Sequence, residues 1–487
     1  MVFNRPTPLI RLRHLLPVRG EVVAPLRYTN FMSSIIKNLA DLSLTPLRRD
    51  ALAIAEAGYE AIDTAKLIHR IVRLVGANLC VGTETCSLEN PSPPHPNPLP
   101  GKGEGATRPE RIFFVGVGKC ASVAAVAMED VLGDRLTGGI ILDVSVSETC
   151  RAELKKIECF VGTHPLPSEQ NVAATKRILE LLHGLTERDA VIVLVSGGGS
   201  TLLCQPQGAM VCTDERALFK ELTSRGADIR ELNTVRKHLS IARGGGLARA
   251  AYPASVIGLV ISDVPGNEIP FIASGPTVRD DTTVADARAV LAKYGVKDEI
   301  ILASLLETPK EDKYFEHVRT VMLASNMTAL EAMKREAEKL GYTATIVTDR
   351  LTGEARDVAK DIAESLHAAP PRSVLLYGGE TVVTARAGET LTGQGGRNQE
   401  LAITALQYIR EGEIIFPISS DGHDNGPLAG AIADQETLRA VQAQNLSIED
   451  SLHTHNSNAF FAELPNHKLL TGETGTNVSD LILVVKG

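Results

Sequence analysis

Apolar residues along the chain follow helical spacing first and then alternate between strand-like and helix-like segments. From Leu47 to Leu74 they recur with the period of a helix, which predicts one or two helices. Short apolar runs then predict strands at residues 111–115, 140–144, 190–195 and 255–261. Helices are predicted between them, at 119–132 and 169–182. The run at 190–195 is apolar on both faces, as in a buried parallel strand.

A polar stretch at residues 308–314 separates this region from a second alternating region. There the pattern predicts strands at 318–323, 343–347, 374–377, 381–387, 414–418 and 481–485, and helices at 329–340, 355–366 and 399–410. Strands that alternate with helices indicate the α/β class. We therefore predict two α/β domains with a cleft between them. The first is a Rossmann-like sandwich with a mostly parallel sheet over residues 32–307, and the second is smaller, with a mixed sheet, over residues 315–487.

Two segments lie outside this pattern. Residues 1–31 carry five arginines against one acid, which is typical either of an Arg-rich targeting segment or of a disordered extension upstream of Met32. We favour the extension. No small-residue cleavage site follows an apolar stretch, so no secretory signal is predicted. Residues 91–107 are rich in proline and glycine, so they cannot pack as a helix or an inner strand. We predict a disordered surface insertion there rather than a proline-rich ligand for a partner.

Composition argues against several classes of protein. The net charge is -9, so no bulk positive field attracts nucleic acid. The seven cysteines include no C-x-x-C pair, which argues against a disulfide framework and a zinc site and favours a reducing, cytoplasmic compartment. No apolar run is long enough to cross a membrane. An anionic substrate would then have to meet a few placed lysines and arginines.

Glycine-rich turns follow the predicted strands, at the sheet edge where open α/β folds bind ligands. The first turn, residues 116–121, matches the loose dinucleotide pattern G-x-G-x-x-A. It contains Lys119, whose charge opposes the helix dipole at a helix start and therefore calls for an anion such as phosphate. A solvent-facing lysine beside a packing turn is an equally good interpretation of this turn alone.

The next turn places three glycines between two hydroxyl residues: Ser196, Gly197, Gly198, Gly199 and Ser200. Such a turn suits a loop whose N–H groups bind an anion, although it lacks the Walker pattern G-x-x-x-x-G-K-[ST]. Lys237 lies in a basic segment before a glycine run, which suits either an anion site or a helix end. Asp263 directly follows a predicted strand, where a carboxylate can hold a metal or a hydroxyl, or simply form a turn.

The second region repeats the pattern. Arg397 enters a predicted helix directly after Gly395 and Gly396, where a guanidinium can bind phosphate oxygens through two hydrogen bonds. Three carboxylates in glycine-rich turns offer the oxygen ligands that magnesium prefers: Glu380, Asp421 and Asp424. Each turn alone fits a packing role, but packing is a poor explanation for so many glycine-rich turns at strand ends.

The sequence resembles the glycerate 2-kinases that carry a C-terminal MOFRL domain, in motifs that occur in the family's order: GVGK, VSGGGSTLL, RKHLSIARGGGLA, SDVPG, IASGPT, GGET, GQGGRNQE, SDGHDNGPLAGAIAD and TGETGTNVSDL. The resemblance begins near residue 32 and leaves out the proline-rich insertion. It implies ATP and Mg²⁺, with glycerate as substrate and 2-phosphoglycerate as product. It also implies that the second domain is the MOFRL domain.

The catalytic lysine and arginine proposed for that family fall on Lys119 and Arg397. Substrate or phosphate binding is expected from the 196–200 turn together with Lys237, Asp263, Gly395 and Gly396. Metal binding is expected from Glu380, Asp421 and Asp424, and Asp263 joins these as a candidate base. The expected partner is a small-molecule substrate, with no nucleic acid and no membrane; a homo-oligomer is compatible with the sequence.

Two other functions remain open at this stage. A nicotinamide-dependent hydroxypyruvate reductase would use the G-x-G-x-x-A turn, and some relatives carry that label. Such a fold expects an acidic residue about 20 positions later to hold the ribose; Asp143 lies beyond that range, and Asp130 and Asp134 lie nearer. A non-catalytic sugar-acid-binding protein would use the same anion-binding turns but would need no lysine–arginine pair.

Overall fold

The computed structural model describes residues 34–75, 78–81, 109–386, 389 and 393–487. The predictions for residues 1–31 and 91–107 lie outside the described residues. Three helices come first: α1 (Leu39–Leu42), α2 (Pro46–Ala61) and α3 (Thr64–Ile71). A hairpin follows, formed by β1 (Val72–Val75) and β2 (Asn78–Val81). Thr45 caps the start of helix α2, and its hydroxyl accepts the N–H of Arg48.

Six parallel strands form the first sheet: β3 (Arg111–Val117), β4 (Leu136–Asp143), β5 (Ile157–Val161), β6 (Asp189–Val195), β7 (Ser255–Ile261) and β8 (Val318–Ala324). Their order is β5-β4-β3-β6-β7-β8, so the winding reverses between β3 and β6. This is the strand order of the doubly wound Rossmann folds, which bind ligands at the point of reversal. The predicted parallel, Rossmann-like sheet is confirmed, although β5 was not among the predicted strands.

Strand β8 belongs to a different sheet from the one predicted. Its residues 318–323 were assigned to the second region, yet β8 pairs in parallel with β7. The first sheet therefore extends beyond residue 307, and the polar stretch at 308–314 connects two parts of it. Local composition shows that a strand forms but not which distant strand it pairs with.

Helices cover both faces of the first sheet or connect its strands: α4 (Ala121–Leu132), α5 (Glu148–Glu153), α6 (Glu169–His183), α7 (Gly199–Leu202), α8 (Cys212–Ser224), α9 (Ile229–His238), α10 (Gly246–Ala251), α11 (Val284–Lys293) and α12 (Glu299–Ala303). Short 3-10 helices occur at Gly133–Arg135, Ile269–Ser274 and Asp312–Tyr314. Strand β6 is buried along its whole length, which agrees with its apolar sequence on both faces.

The second sheet has the order β13-β12-β11-β14-β10-β9. Its strands are β9 (Thr343–Leu351), β10 (Ser373–Gly379), β11 (Glu413–Ser419), β12 (Gly430–Ala431), β13 (Lys468–Leu469) and β14 (Asp480–Lys486). Strands β9 and β10 are parallel, and β14 runs antiparallel between β10 and β11. The predicted mixed sheet is thus confirmed. The strand predicted at 381–387 is wrong over the described residues 381–386, where a single bridge joins Val382 to Glu354.

The helices of the second region are α13 (Asn326–Lys339), α14 (Ala355–Ala368), α15 (Arg397–Ala405), α16 (Gln435–Ala443), α17 (Ile448–Thr454) and α18 (Ser457–Ala462). Helix α2 packs against α13 and ties the N-terminal helices to the second sheet. The Arg48 guanidinium, fully buried, donates to both carboxylate oxygens of Asp434 at 2.6 and 2.7 Å. Tyr59 Oη donates to the Ser419 carbonyl at the end of β11. These contacts hold the N-terminal helices against the second sheet.

Candidate active site

The turns after β3 and β6 are joined to each other at the point where the first sheet reverses its winding. The Lys119 N–H donates to the Gly197 carbonyl at 3.0 Å, and the Cys120 N–H donates to Ser196 Oγ at 3.2 Å. The Ser196 N–H donates in turn to the Val117 carbonyl. The two turns that the sequence singled out separately therefore form one rigid platform.

The N-terminal amides of α4 already have protein acceptors. Besides those of Lys119 and Cys120, the Ser122 N–H donates to Asp143 Oδ2 at 2.9 Å, and Asp143 also accepts the N–H of Val144. Asp143 ends β4 and is buried. A dinucleotide would need these amides for its pyrophosphate and a free carboxylate for its ribose. The G-x-G-x-x-A turn is thus a packing turn, and the geometry does not favour the reductase interpretation.

The turn at 196–200, unlike the turn after β3, has backbone N–H groups without protein acceptors in the described residues. Gly198 adopts the left-handed conformation, with φ of 84°, which a residue with a side chain rarely adopts. Within the described part of the chain, no acceptor bonds the N–H groups of Gly197, Gly198 or Ser200. Ser200 Oγ lies 2.9 Å from Ser274 Oγ, which fixes the hydroxyl. Unpaired N–H groups on a glycine-rich turn form a site for an anion.

Asp263, after β7, packs against this turn. A Cβ on Gly197 would stand 2.3 Å from Asp263 Oδ2, so the close approach requires glycine at this position. Asn477 Nδ2 donates to the same oxygen at 3.3 Å, and Ser479 Oγ donates to the Asp263 carbonyl. Burial raises the pKa of Asp263 to about 6, against the opposing pull of the Lys119 charge. The second region thus reaches directly into the first-sheet site.

Lys119 points across to the second sheet. Its Nζ lies 2.9 Å from Asp421 Oδ2, while Asp421 Oδ1 accepts Ser419 Oγ. Burial alone would lower the pKa of Lys119, but Asp421, and less strongly Asp263, outweigh it and raise that pKa. Burial by itself would raise the pKa of Asp421. The charge of Lys119 and its hydrogen bond outweigh that effect, so the pKa of Asp421 is lowered. The anion that Lys119 was predicted to need is, in this structure, a carboxylate of the protein.

Arg397, the first residue of α15, is held by two carboxylates. Its Nη2 donates to Glu380 Oε1 at 2.8 Å, and its Nε and Nη2 both donate to Asp480 at the start of β14. Burial opposes the Arg397 charge, but Asp480 and Glu380 overcome it and raise the pKa of the guanidinium. Hydrogen bonds to two carboxylates fix the plane of the guanidinium.

Glu380 contacts Arg397, and the charge of Lys119 also affects it, though less strongly. Shielding from water in the cleft raises the pKa of Glu380 to about 7, although part of its side chain remains accessible. The carboxylates of Asp480 and Asp263 push in the same direction, and the charges of Arg397 and Lys119 push against it. Lys119 and Arg397 therefore hold different carboxylates, Asp421 and Glu380, although both charges lower the pKa of Glu380.

Asp424 is placed differently from the other predicted carboxylates. It is buried and accepts the N–H groups of Gln399 at 2.8 Å and Asn398 at 3.1 Å. A Cβ on Gly396 would lie 2.1 Å from its Oδ1. Asp424 therefore satisfies the free amides at the start of α15 and positions Arg397. A metal ion would have to displace those bonds, so Asp424 does not fit the predicted role of metal ligand.

Lys237 also has a partner inside the protein. Its Nζ lies 3.1 Å from Asp280 Oδ1, and its side chain is 4% exposed. Because this charge is matched and buried, we leave Lys237 out of the candidate site. In the described part of the chain, no three His, Cys, Asp or Glu side chains are close enough together to hold a metal ion by themselves.

Three polar residues near the candidate site were not among the predicted site residues: Asn477, Ser479 and Asp480. They lie in the last glycine-rich motif of the sequence, TGETGTNVSDL. A usable signal exists for Asp480, because an acidic residue at the head of an apolar strand needs a partner, and here the partner is Arg397. No helix in the described residues has the length and apolar character that crossing a bilayer requires.

Comparisons with known proteins match most of this chain. Residues 50–306 match the family described as Domain of unknown function (DUF4147), and residues 373–480 match the MOFRL family. A glycerate 2-kinase of Pyrococcus horikoshii is 35% identical over 77% of this chain and 87% of its own length. A protein of Agrobacterium vitis, named provisionally as a hydroxypyruvate reductase, is 36% identical over 80% of this chain and 90% of its own.

The fold has a solved counterpart as well. The crystal structure of a glycerate kinase from Thermotoga maritima superimposes with a TM-score of 0.74 and 31% identity. The match covers 90% of this chain and 99% of that one. The two sheets and the cleft-facing loops therefore belong to an architecture already seen in a kinase.

Proposed function

Because the chain belongs to the glycerate kinase family that combines the DUF4147 and MOFRL regions, we propose that it transfers the γ-phosphoryl group of ATP to the 2-hydroxyl of D-glycerate. The product is 2-phosphoglycerate, and the reaction takes place in the cleft between the two sheets. One observation carries the proposal. Lys119, which follows β3 of the first sheet, pairs with Asp421, which follows β11 of the second, beside a glycine-rich turn with amides that are unpaired in the described residues.

Phosphoryl transfer needs positioning and charge neutralisation more than covalent chemistry by the protein. Lys119 and Arg397 supply two positive charges that now rest on carboxylates. When a triphosphate enters, its oxygens replace part of that negative charge, so both cations meet the transferring group. The N–H groups of Gly197, Gly198 and Ser200 hold further phosphate oxygens. The groups are preorganised, so little reorganisation accompanies the reaction.

Asp263 is our candidate for the base that accepts the proton of the substrate hydroxyl. Its pKa of about 6 keeps it mostly ionised at neutral pH while leaving it basic enough to accept a proton. Its carboxylate lies against Gly197, next to the proposed phosphate site. Glu380, with a pKa raised to about 7, is the second candidate.

The carboxylates of the candidate site could bind magnesium only together with phosphate oxygens of the nucleotide. Magnesium in kinases binds one or two carboxylates together with phosphate oxygens and water. Asp421 and Glu380 fit this role because both carboxylates face the cleft, beside Lys119 and Arg397 respectively. When bound, the ion would supply charge neutralisation on the phosphate oxygens.

Incubating the purified chain with ATP, Mg²⁺ and D-glycerate tests the proposal. Nuclear magnetic resonance of the product should show 2-phosphoglycerate. Formation of 3-phosphoglycerate alone would show that the position of transfer is wrong. Oxidation of NADH with hydroxypyruvate, in place of phosphorylation, would show that the reaction class is wrong. Binding of glycerate with no turnover under any nucleotide would favour a non-catalytic binding protein.

A further inference from the structure

A cavity of about 470 Å³ lies beside Thr201, one residue beyond the 196–200 turn. Its walls are residues 165–167, of sequence Pro-Leu-Pro, and the α8 side chains Phe219, Thr223 and Ser224. Thr201 Oγ1 donates to the Pro165 carbonyl, so this wall is attached to the turn itself. The volume lies within the roughly 300–1,000 Å³ of small-molecule sites. A three-carbon hydroxy acid would leave most of it empty.

Arg236 lines the same cavity, together with Glu215 and Lys220. Its guanidinium carbon lies 4.5 Å from the centre of the Phe219 ring. Two neighbouring arginines differ from it, because Arg230 pairs with Glu268 and Arg243 pairs with Glu215. Among the described residues Arg236 forms no ion pair and its side chain forms no hydrogen bond. Burial, and then the like charge of Arg243, lower the pKa of Arg236 to about 10 against the opposing charge of Glu215, so Arg236 remains charged at neutral pH.

Helix α9 places Arg236 next to the anion-binding turn. Asn233 is three residues earlier and therefore on the same face of the helix. Its Oδ1 accepts the Ser274 hydroxyl, which also contacts Ser200 Oγ. Partial loss of hydration, and then the charges of Lys119 and Arg236, lower the pKa of His164, whose ring stands beside Gly198. Lys119 and Arg236 thus both act on His164, which stands beside Gly198 of the turn.

We propose that this cavity receives the nucleoside of the phosphate donor, so that the N-terminal α/β region holds the adenine. The inference rests on the proposed kinase function. The base packs between the Pro-Leu-Pro wall and the stacked Phe219 and Arg236. The phosphate next to the nucleoside meets the Arg236 guanidinium. The remaining phosphates follow the amides of the 196–200 turn towards Lys119, which leaves the Asp263 end of the turn for glycerate.

Two substitutions test this assignment. Ser224→Trp places an indole at the wall of the cavity, and Arg236→Gln removes the charge while keeping a polar side chain. Ser365→Trp is the matched control, because Ser365 is exposed on α14 and its hydroxyl, like that of Ser224, bonds a carbonyl of its own helix. Each cavity variant should weaken ADP binding by about tenfold or more, which corresponds to about 1.4 kcal/mol. The KM for ATP should rise similarly, while the KM for D-glycerate stays within about twofold of wild type.

Calorimetric titration with ADP and steady-state kinetics give the readouts, with a thermal melt to confirm folding. If Ser224→Trp does not fold, Thr223→Phe probes the same wall. Unchanged ADP affinity in the folded variants would overturn the inference and leave the kinase proposal intact. A rise in the KM for glycerate alone would also overturn it, because the cavity would then hold the acid. Should the wild-type chain bind ADP but not phosphorylate glycerate, the kinase proposal fails, and the ADP affinities of the variants still decide the nucleoside site.

Discussion

The ammonium of Lys119, which follows the central strand β3 of the first sheet, lies 2.9 Å from Asp421 Oδ2, which follows β11 of the second sheet. This ion pair crosses the proposed cleft and is partly open to solvent, with side chains 30% and 18% exposed. A phosphate that enters the cleft therefore competes with Asp421 for the lysine. The pair also indicates why Lys119 is tolerated at the start of a helix.

Replacement of Lys119 by alanine should lower kcat by roughly 100-fold or more, the usual cost of losing one preorganised donor. The melting temperature should change little, because partly exposed ion pairs contribute about 1 kcal/mol or less. Lys176→Ala, at an exposed position on α6, is the control and should be indistinguishable from wild type. A near-normal kcat in folded Lys119→Ala would remove this residue from the mechanism.

Arg397→Ala should cause a loss in kcat of about the same size, and Arg397→Lys should also be poor because an ammonium cannot reproduce the planar fork. The double variant with Lys119→Ala should lose less than the product of the two single losses, since both groups act on one phosphate. Steady-state kinetics measures this. Arg410→Lys makes the same substitution at an exposed site and is the control, with activity expected to equal that of wild type. Full activity in Arg397→Lys would mean that charge alone suffices at this position.

The pH dependence of kcat should report Asp263. Its pKa is raised to about 6, so the carboxyl becomes protonated below that pH and can no longer accept the hydroxyl proton. The rate should therefore fall as the pH drops below about 6. Because Lys119 holds this pKa down, the residual activity of Lys119→Met should show the fall at a higher pH.

Asp263→Asn separates the two candidate bases. If Asp263 is the base, Asp263→Asn should abolish most of the activity, and the fall in rate at low pH should disappear. If the variant remains active and its rate falls as the pH drops below about 7, the base is Glu380, whose pKa is raised to about 7. A flat wild-type profile between about pH 5 and 8 would count against both carboxylates as the base.

Gly197→Ala should inactivate the enzyme without unfolding it. The added Cβ would stand 2.3 Å from Asp263 Oδ2 and 2.4 Å from Asn477 Nδ2, so the contact between the turn and the Asp263 loop must open. Gly184→Ala is the control, because its nearest new contact is at an ordinary 3.5 Å. Circular dichroism and kinetics on both variants decide the matter, and an active Gly197→Ala would show that the close approach is dispensable.

Replacement of residues 91–107 by a short Gly-Ser link should leave activity within a few-fold of wild type. The prediction follows from the proline-rich, polar composition of the segment, which suits a surface insertion. Size-exclusion chromatography and the kinase assay measure the outcome. A chain that cannot fold after this replacement would show that the segment is a structural element.

Periodicity alone predicted most strands and helices, because each follows from a local pattern of apolar residues. The errors lie where the decisive contact is remote. Residues 381–386 have the composition of a strand but find no neighbouring strand to pair with, apart from the bridge at Val382. The strand β8 was placed in the wrong sheet because its partner β7 is more than fifty residues earlier in the chain.

The candidate site divides in the same way. Glycine-rich turns mark Lys119, the 196–200 turn, Asp263 and Arg397 in the sequence, since the backbone conformations that such turns need are readable from residue type. Residue type does not show which partner each charge meets. Lys237 and Asp424 resemble ligands in sequence, yet one pairs with Asp280 and the other bonds the first amides of α15.

By itself the sequence determined the α/β class, the run of glycine-rich turns and the two basic residues proposed for catalysis, because these depend on local backbone preference and on motif order. Tertiary structure decided that Lys119 pairs with Asp421 and Arg397 with Glu380, that amides of the G-x-G-x-x-A turn are already bonded, and that Arg236 stacks on Phe219 with no ion pair among the described residues. Those facts depend on distances between residues far apart in the chain. Such distances are set by the packing of the two sheets and the N-terminal helices.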